Sequence, residues 1–505
     1  RAIRHGLALA LLGSVALTIA DVAMRNTLGR GFILFFDLPL AGSLIELTRG
    51  AVGDAIASIA ILGIVVAVGV AYVLIVGCLR VAQAALRQSP GGRAAVLLSC
   101  AALSAAHIGG WDRAALATRL ISGRAPQLLA AQAGAAAALV TERATFREGG
   151  AVPFSPTALA QRLGGADVLV FFVESYGRSS IEDPPYAATI VPALRRLGRS
   201  LAGHGLSAAS GWLVSPTLGG QSWLAHSTLL SGLRIDNQLR YGLLLSGDRA
   251  TLVDDFNAAG YRTVLVAPAI NRPWPEVAFY GFDRTYFSWD MGYAGPAFSW
   301  VTMPDQYTLH VLDRAERRAG AAPLLAVAAL ISSHAPWTPV PEVVEDWSAI
   351  GDGRIFAALP GRGGPPEVVW RDREGIRRQY SLSIAYVIGV LEAYFARPNA
   401  RATLSILVGD HQPGPIISGR DASRDVPIHV IGSDPDLLAP FREWGLVEGM
   451  LPAAGGGSEP MEAFRGWFLG AFGPASAAPG AGTTGGPSAG IARGRQPERE
   501  QTAAH

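Results

Sequence analysis

Between Asp167 and Gly177 the chain reads Asp-Val-Leu-Val-Phe-Phe-Val-Glu-Ser-Tyr-Gly: six apolar residues, rich in Val and Phe, that stop at one carboxylate. No other stretch restricts the fold so tightly. A continuous apolar run of this length suits a strand covered on both faces. Strands of that kind sit in sheets with helices on either side, and ligands bind beyond the strands' carboxyl ends. Glu174 therefore stands at a sheet edge, either as a functional carboxylate or as a solvated residue that ends the strand.

The pattern recurs. Candidate core strands are Val168–Val173, Thr263–Ala267, Leu324–Ile331, Leu404–Val408 and Ile428–Ile431, with helical or loop stretches between them. Strands alternating with helices predict an α/β fold, a mostly parallel central sheet with flanking helices, over residues 165–471. About 300 residues suffice for one such domain. Residues 472–505 are rich in Gly, Ala, Pro and Ser and read as a disordered tail. Residues 111–164 read as an Ala- and Arg-rich helical connector.

Only 16% of the 505 residues are charged, against about a quarter in a typical soluble domain. The apolar excess lies at the front. Runs over 6–24, 53–78 and 93–110 read as three transmembrane helices within a membrane region of 1–110. A signal peptide would account for the first run but not the second. Arg1 and Arg4 precede the first run, and Arg80, Arg87 and Arg93 separate the second from the third. With both clusters in the cytoplasm, everything after residue 111 is extracytoplasmic, which predicts a multi-pass protein of the inner (plasma) membrane with its folded domain on the periplasmic side. Arg25, Arg30 and Arg49 in the first loop oppose that orientation, with Asp21, Asp37 and Glu46 nearby. Phe32–Leu40 is apolar but broken by Asp37 and Pro39, and reads as an interfacial piece or a loop packed on the bundle. The first residue is Arg rather than Met, which leaves room for a further N-terminal segment. All 42 basic residues are Arg, and the net charge of +2 gives no sign of a nucleic-acid partner. Cys78 and Cys100 both fall in apolar runs, so no disulfide or Cys-based zinc site is expected in the domain.

Three further polar clusters share the sheet-edge context. In Ser215-Pro-Thr-Leu-Gly-Gly-Gln-Ser-Trp-Leu-Ala-His226, the two glycines permit a tight turn. Ser222 then falls where a helix begins, as an N-cap or as a nucleophile beside a helix N-terminus that favours anions. Thr217 is the alternative nucleophile, and His226 lies one turn after Ser222. In Leu330-Ile-Ser-Ser-His-Ala-Pro-Trp337, His334 follows a strand end, as an ordinary loop residue or as a group that binds an anion or protonates a leaving oxygen. In Leu404-Ser-Ile-Leu-Val-Gly-Asp-His411, a strand ends in Asp410 and His411. With Glu174 and the Ser222 hydroxyl these make a three-oxygen, one-nitrogen ligand set. It suits Mn²⁺ or Zn²⁺, and Mg²⁺ less well because of the imidazole.

In this order the motifs resemble the alkaline phosphatase/sulfatase superfamily, above all its membrane-anchored branch: lipoteichoic acid synthases, phosphoglycerol transferases and phosphoethanolamine transferases. The resemblance covers residues 165–435. It implies Glu174, Ser222, Asp410 and His411 as metal ligands, Ser222 as the nucleophile in place of that branch's Thr, and His334 as a substrate-binding residue. Asn271-Arg-Pro-Trp274 is similar to a family segment that contacts a phosphoglycerol head group, which adds Arg272 and Trp274. The implied reaction transfers a phospho head group from a phospholipid donor to a cell-envelope glycan or lipid through a Ser-linked intermediate. The alternative is a sulfatase-like hydrolase, a phosphodiesterase, phosphatase or sulfuric ester hydrolase, with the same site. Formylglycine sulfatases carry Pro two residues and Arg four residues after the modified position. Here those places hold Leu224 and His226, which argues against that chemistry. Asp305 and His310 have no assigned role, and no second zinc set can be assembled.

Overall fold

The computed structural model describes residues 1–42, 54–88, 127–137, 154–317, 320–359, 361–398 and 401–473, together with the isolated positions 45, 94 and 146. The expected third apolar run, most of the connector and the tail from 474 lie outside the described residues.

Helix α1 (Ala2–Thr27) and helix α2 (Asp54–Gln88) form the front of the chain. At 26 residues α1 is about 39 Å long, enough for the ~30 Å hydrocarbon core of a bilayer. The two helices run antiparallel, with His5 Nδ1 2.7 Å from the Tyr72 hydroxyl and Arg4 donating to Gln83. Ile59, Leu62 and Val73 on α2 are each at least 63% exposed. Apolar side chains on every side of a helix require an apolar surrounding, so length, composition and exposure fit a membrane anchor.

The domain is one mixed sheet between two helical layers. Its strands are β1 (Asp167–Val173), β2 (Ser207–Val214), β3 (Arg262–Ala267), β4 (Arg284–Phe287), β5 (Leu324–Leu330), β6 (Thr403–Gly409), β7 (Asp425–Gly432), β8 (Val447–Glu448) and β9 (Glu459–Pro460). The order is β4-β3-β5-β1-β6-β7-β2-β8, with β9 beside β2. Neighbours from β4 to β6 are parallel. The parallel pattern stops at β7, which is antiparallel to both β6 and β2, so five parallel strands from the β4 edge are followed by an antiparallel side.

Period-two alternation along β1 explains the layers. Leu169, Phe171 and Val173 pack on one face with α3 (Pro184–Gly203), α5 (Asp305–Glu316) and α6 (Arg373–Phe395). Val168, Val170 and Phe172 pack on the other with α4 (Ser222–Ser231) and α7 (Ala463–Ala471). All seven β1 residues are buried, as an apolar run without alternation requires. Because β2 and β7 are antiparallel neighbours, the end of β2 and the start of β7 reach the same edge as the ends of β1, β5 and β6. The residues following β1, β2, β5 and β6 therefore meet along one rim.

Candidate active site

Glu174 follows β1 directly, and Asp410 and His411 follow β6, the strand beside it. Two close backbone approaches hold this junction. At Gly409 an added Cβ would lie 1.9 Å from the Tyr176 carbonyl oxygen, and at Gly177 it would run into Gln412. Ser175 takes a left-handed backbone, φ 55°. Its N–H donates to Asp410 Oδ1 at 2.8 Å and its hydroxyl donates to Glu174 Oε1 at 2.9 Å. The His411 N–H also donates to Asp410 Oδ1, at 2.6 Å.

The turn that carries Ser222 comes from β2. The Ser215 hydroxyl donates to the Asp410 carbonyl, and Gly219 N–H donates to the Gln412 carbonyl, tying this turn to the β6 loop. Gly219, Gly220 and Gln221 all have positive φ (76°, 150° and 66°), so the chain reverses sharply before α4. Ser222 is the first helical residue rather than the cap, which is Gln221. Its hydroxyl points at the rim: it donates to Glu174 Oε2 at 2.9 Å and lies 3.2 Å from His411 Nε2. Thr217 is buried away from these contacts, with no hydrogen-bond partner for its hydroxyl among the described residues.

The donor atoms fit a cation. His411 Nδ1 lies 2.9 Å from the Gln412 carbonyl and donates to it, so the Nε2 lone pair faces Glu174 and Ser222. His411 Nε2 is 3.3 Å from Glu174 Oε1 and 3.8 Å from Asp410 Oδ1. Tetrahedral zinc with bonds near 2.1 Å separates its ligands by about 3.4 Å. Glu174, Asp410 and His411 are all buried and present ligand atoms within 4.8 Å of one another, the one such cluster among the described residues.

The site is electrostatically divided. Burial works against the Glu174 charge, but His411 and His334 outweigh it and hold that carboxyl well below its usual range. Burial first, then repulsion from Glu174, pushes Asp410 well above. Burial opposes a charged His411, yet Asp410 and Glu174 bring its pKa up to about 9. Bringing a divalent cation into such a cluster displaces protons from it.

His334 stands after β5, on the other side of β1. Its loop is fixed to the site by the Ser333 hydroxyl, which donates to the Glu174 carbonyl at 2.6 Å. Buried Asp305 shapes the same loop: Oδ1 accepts from the Ile331 and Ser332 N–H groups, and burial lifts its pKa to about 7. Asp305 and His310 are not among the residues whose ligand atoms converge with Glu174, Asp410 and His411. His226 stacks on Phe172 with ring centroids 3.9 Å apart, and burial brings its pKa down to about 4. It packs on the sheet-facing side of α4 as a neutral ring. Arg272 and Trp274 lie after β3, along the same rim beyond β5. They line a separate open groove with Asn271, Pro273, Phe287 and Trp289, and no hydrogen bond joins them to Ser222.

No family model and no curated protein sequence matches the chain. Among solved structures it is similar to the C-terminal periplasmic domain of EptC from Escherichia coli, also solved in complex with Zn. There the identity is 13%, over 60% of this chain and 80% of that one, with a TM-score of 0.38. It is similar to the phosphoglycerol transferase GacH of Streptococcus pyogenes, solved with sn-glycerol-1-phosphate (13% identity, 56% and 78% of the two chains, TM-score 0.37). A third is a protein in the alkaline phosphatase superfamily from Vibrio parahaemolyticus (13%, 53% and 60%, TM-score 0.33). At these identities and TM-scores, the chemistry has to be read from this chain's own residues.

Several residues that build the site escaped the sequence reading. Ser175 sits inside a quoted motif and Gln412 directly after one, and neither was given a role. Ser175 hydrogen-bonds both carboxylates, and Gln412 Oε1 accepts from the Ser179 hydroxyl. Strand β2 was also missed, because Ser-Ala-Ala-Ser-Gly-Trp-Leu-Val carries few β-branched or aromatic residues.

Proposed function

We propose that this chain is a membrane-anchored, metal-dependent transferase of phospho head groups. It takes phosphoglycerol or phosphoethanolamine from a phospholipid and passes it to a cell-envelope glycan or lipid. The domain works outside the plasma membrane, held there by the N-terminal helices. The observation that carries this reading is the Ser222 hydroxyl placed 2.9 Å from Glu174 and 3.2 Å from His411 Nε2 at the start of a helix.

Glu174, Asp410, His411 and Ser222 would hold the cation, Zn²⁺ or Mn²⁺ by donor type, and when bound it supplies Lewis acidity to the hydroxyl and the phosphoryl oxygen. Glu174 Oε2 accepts a hydrogen bond from the Ser222 hydroxyl and aims Oγ, whose proton passes to water as the alkoxide forms. The first N–H groups of α4 face the developing anion. The Ser222 Oγ–P bond forms as the bond from phosphorus to the diacylglycerol oxygen breaks, and His334 gives that oxygen its proton. An acceptor hydroxyl then gives its proton to His334, left as the base by the first step, and attacks phosphorus; the Ser222 Oγ–P bond breaks and Oγ regains a proton from water. Arg272 offers its planar fork to a phosphate oxygen and Trp274 its ring to the head group.

The test uses the full chain in vesicles of phosphatidylglycerol or phosphatidylethanolamine with Zn²⁺ or Mn²⁺, following diacylglycerol release. Ser222→Ala is expected to lose at least about 10³-fold in rate. Full activity in a folded Ser222→Ala protein sinks the proposal. Adding a glycan acceptor separates transfer from hydrolysis, since only transfer yields phosphorylated glycan.

A further inference from the structure

The end of α1 does not stop at the domain surface; it runs into the nucleophile turn. The Thr27 carbonyl oxygen lies so close to Gly219 that a Cβ there would be 2.1 Å from it, and 3.0 Å from one on Gly414. Leu28 reaches Gly220, and Gly29 packs on Leu218. Asn26 accepts from Arg420. One membrane-helix terminus thus touches the turn that delivers Ser222 and the loop that follows His411.

The segment beyond α1 is internally braced. Asp37, 5% exposed, accepts two hydrogen bonds from Arg30 (3.0 and 2.6 Å) and one from the Ile33 N–H (2.8 Å). Buried Asp21 accepts from the Phe32 N–H and from Arg25. Gln132 accepts from the Leu34 N–H and donates to the Phe32 carbonyl. These contacts fix the Arg30 guanidinium, whose Nη2 donates to Gln221 Oε1 at 3.2 Å. Gln221 is 9% exposed, takes the left-handed backbone, and immediately precedes Ser222. A non-glycine residue held at positive φ needs its surroundings to keep it there. Arg30 is the one side chain outside the domain that hydrogen-bonds it among the described residues.

We propose that Arg30 is a positioning residue: it clamps Gln221 and thereby sets the Ser222 hydroxyl, so the membrane helix and the nucleophile turn form one structural unit. This rests on the reading of Ser222 as the nucleophile. The bidentate pair with Asp37 gives Arg30 its fixed direction, which a Lys cannot copy because it presents a single point donor. Truncation between α1 and the domain would remove the clamp while leaving the metal ligands intact.

The test uses the full chain in vesicles with two readouts. The first is steady-state kinetics of head-group release; the second is hydrogen exchange of the peptide over residues 217–224. Arg30→Ala is expected to lower kcat about 10- to 100-fold with KM unchanged, as misplacement of a reacting group does, and to speed exchange in that peptide severalfold while β1 stays protected. Arg30→Lys is expected not to restore kcat. Gln221→Met leaves the Arg30–Asp37 pair in place, so it covers the case in which Arg30→Ala fails to fold; it is expected to match the kinetic loss. The double variant Arg30→Ala/Gln221→Met is expected to be no slower than the slower single variant. Unchanged kcat and exchange in Arg30→Ala, or additive losses in the double variant, overturn the proposal. If the wild-type protein turns over no lipid, the exchange readout alone decides it: faster exchange in Arg30→Ala upholds the clamp while the transferase reading falls.

Discussion

Two buried histidines lie close together in this sheet and carry opposite charge preferences. His411 follows β6 and lies between two carboxylates, and its pKa rises to about 9 against the pull of burial. His429, in the middle of neighbouring β7, meets only hydroxyls, and burial drives it down to about 3. Its partners fix one neutral form. Ser210 gives its proton to the Gly449 carbonyl, so His429 Nδ1–H donates to Ser210 Oγ at 2.7 Å, and Nε2 accepts from the Tyr176 hydroxyl at 3.0 Å. One short turn serves both networks, with Glu174 on the first and Tyr176 on the second. The lesson is that His, Ser and a hydroxyl donor in contact make a site only where charge and an open rim accompany them. The His429 network has neither, and reads as core satisfaction.

The largest expected difference is in activity. His411→Ala is expected to abolish head-group release and zinc binding together, a loss of at least about 10³-fold, whereas His429→Phe keeps kcat within about twofold by the same account of where chemistry resides. Comparable losses in both would break the comparison. Stability should invert the order. His429→Phe leaves the Ser210 and Tyr176 hydroxyls without their buried partner, at about 1–3 kcal/mol each, to be read from denaturant midpoints.

Dependence on pH sharpens the contrast further. A cation needs His411 deprotonated, and its proton is held up to about 9. Zinc affinity is therefore expected to rise at least about tenfold per pH unit between 7 and 8.5, measured by competition with a chelator. His226 and His429 behave oppositely. Both are depressed in the folded state, to about 4 and about 3, so their stabilising contribution is complete above the unfolded value and lost as pH falls. Below about 6.5 each adds up to roughly 1.4 kcal/mol per pH unit of destabilisation. His429→Phe should remove one of these two protons from the slope. The smallest effect expected is at the groove: Arg272→Ala raises KM about fivefold, ~1 kcal/mol, for an exposed guanidinium meeting a phosphate, with kcat unchanged.

Much of this site could be read from the chain because three strands end abruptly in polar residues. Val173-Glu174, Leu330 to His334 and Gly409-Asp410-His411 mark the rim by composition alone, and the strands behind them are apolar enough to be seen. What stayed hidden depends on contacts between distant residues. Arg30 and Gln221 are separated by 191 positions, and within the apolar stretch Phe32–Leu40 the short helix Leu34–Asp37 contacts the helix Gln238–Leu245 of the domain, which the chain alone does not announce. The reversal at β7 was hidden for another reason: a buried central strand has the same apolar pattern in either direction. Ser222 read as an N-cap or as a nucleophile; Gln221 takes the cap position, and the Ser222 hydroxyl lies on Glu174.

The most direct measurement is the intact mass of the full-length protein after brief exposure to phosphatidylglycerol or phosphatidylethanolamine vesicles with Zn²⁺, with the modified residue located by peptide mapping. The account predicts one added phospho head group on Ser222, absent in Ser222→Ala and discharged by an acceptor glycan. An adduct on Thr217 or elsewhere, or turnover that persists in Ser222→Ala, would contradict it.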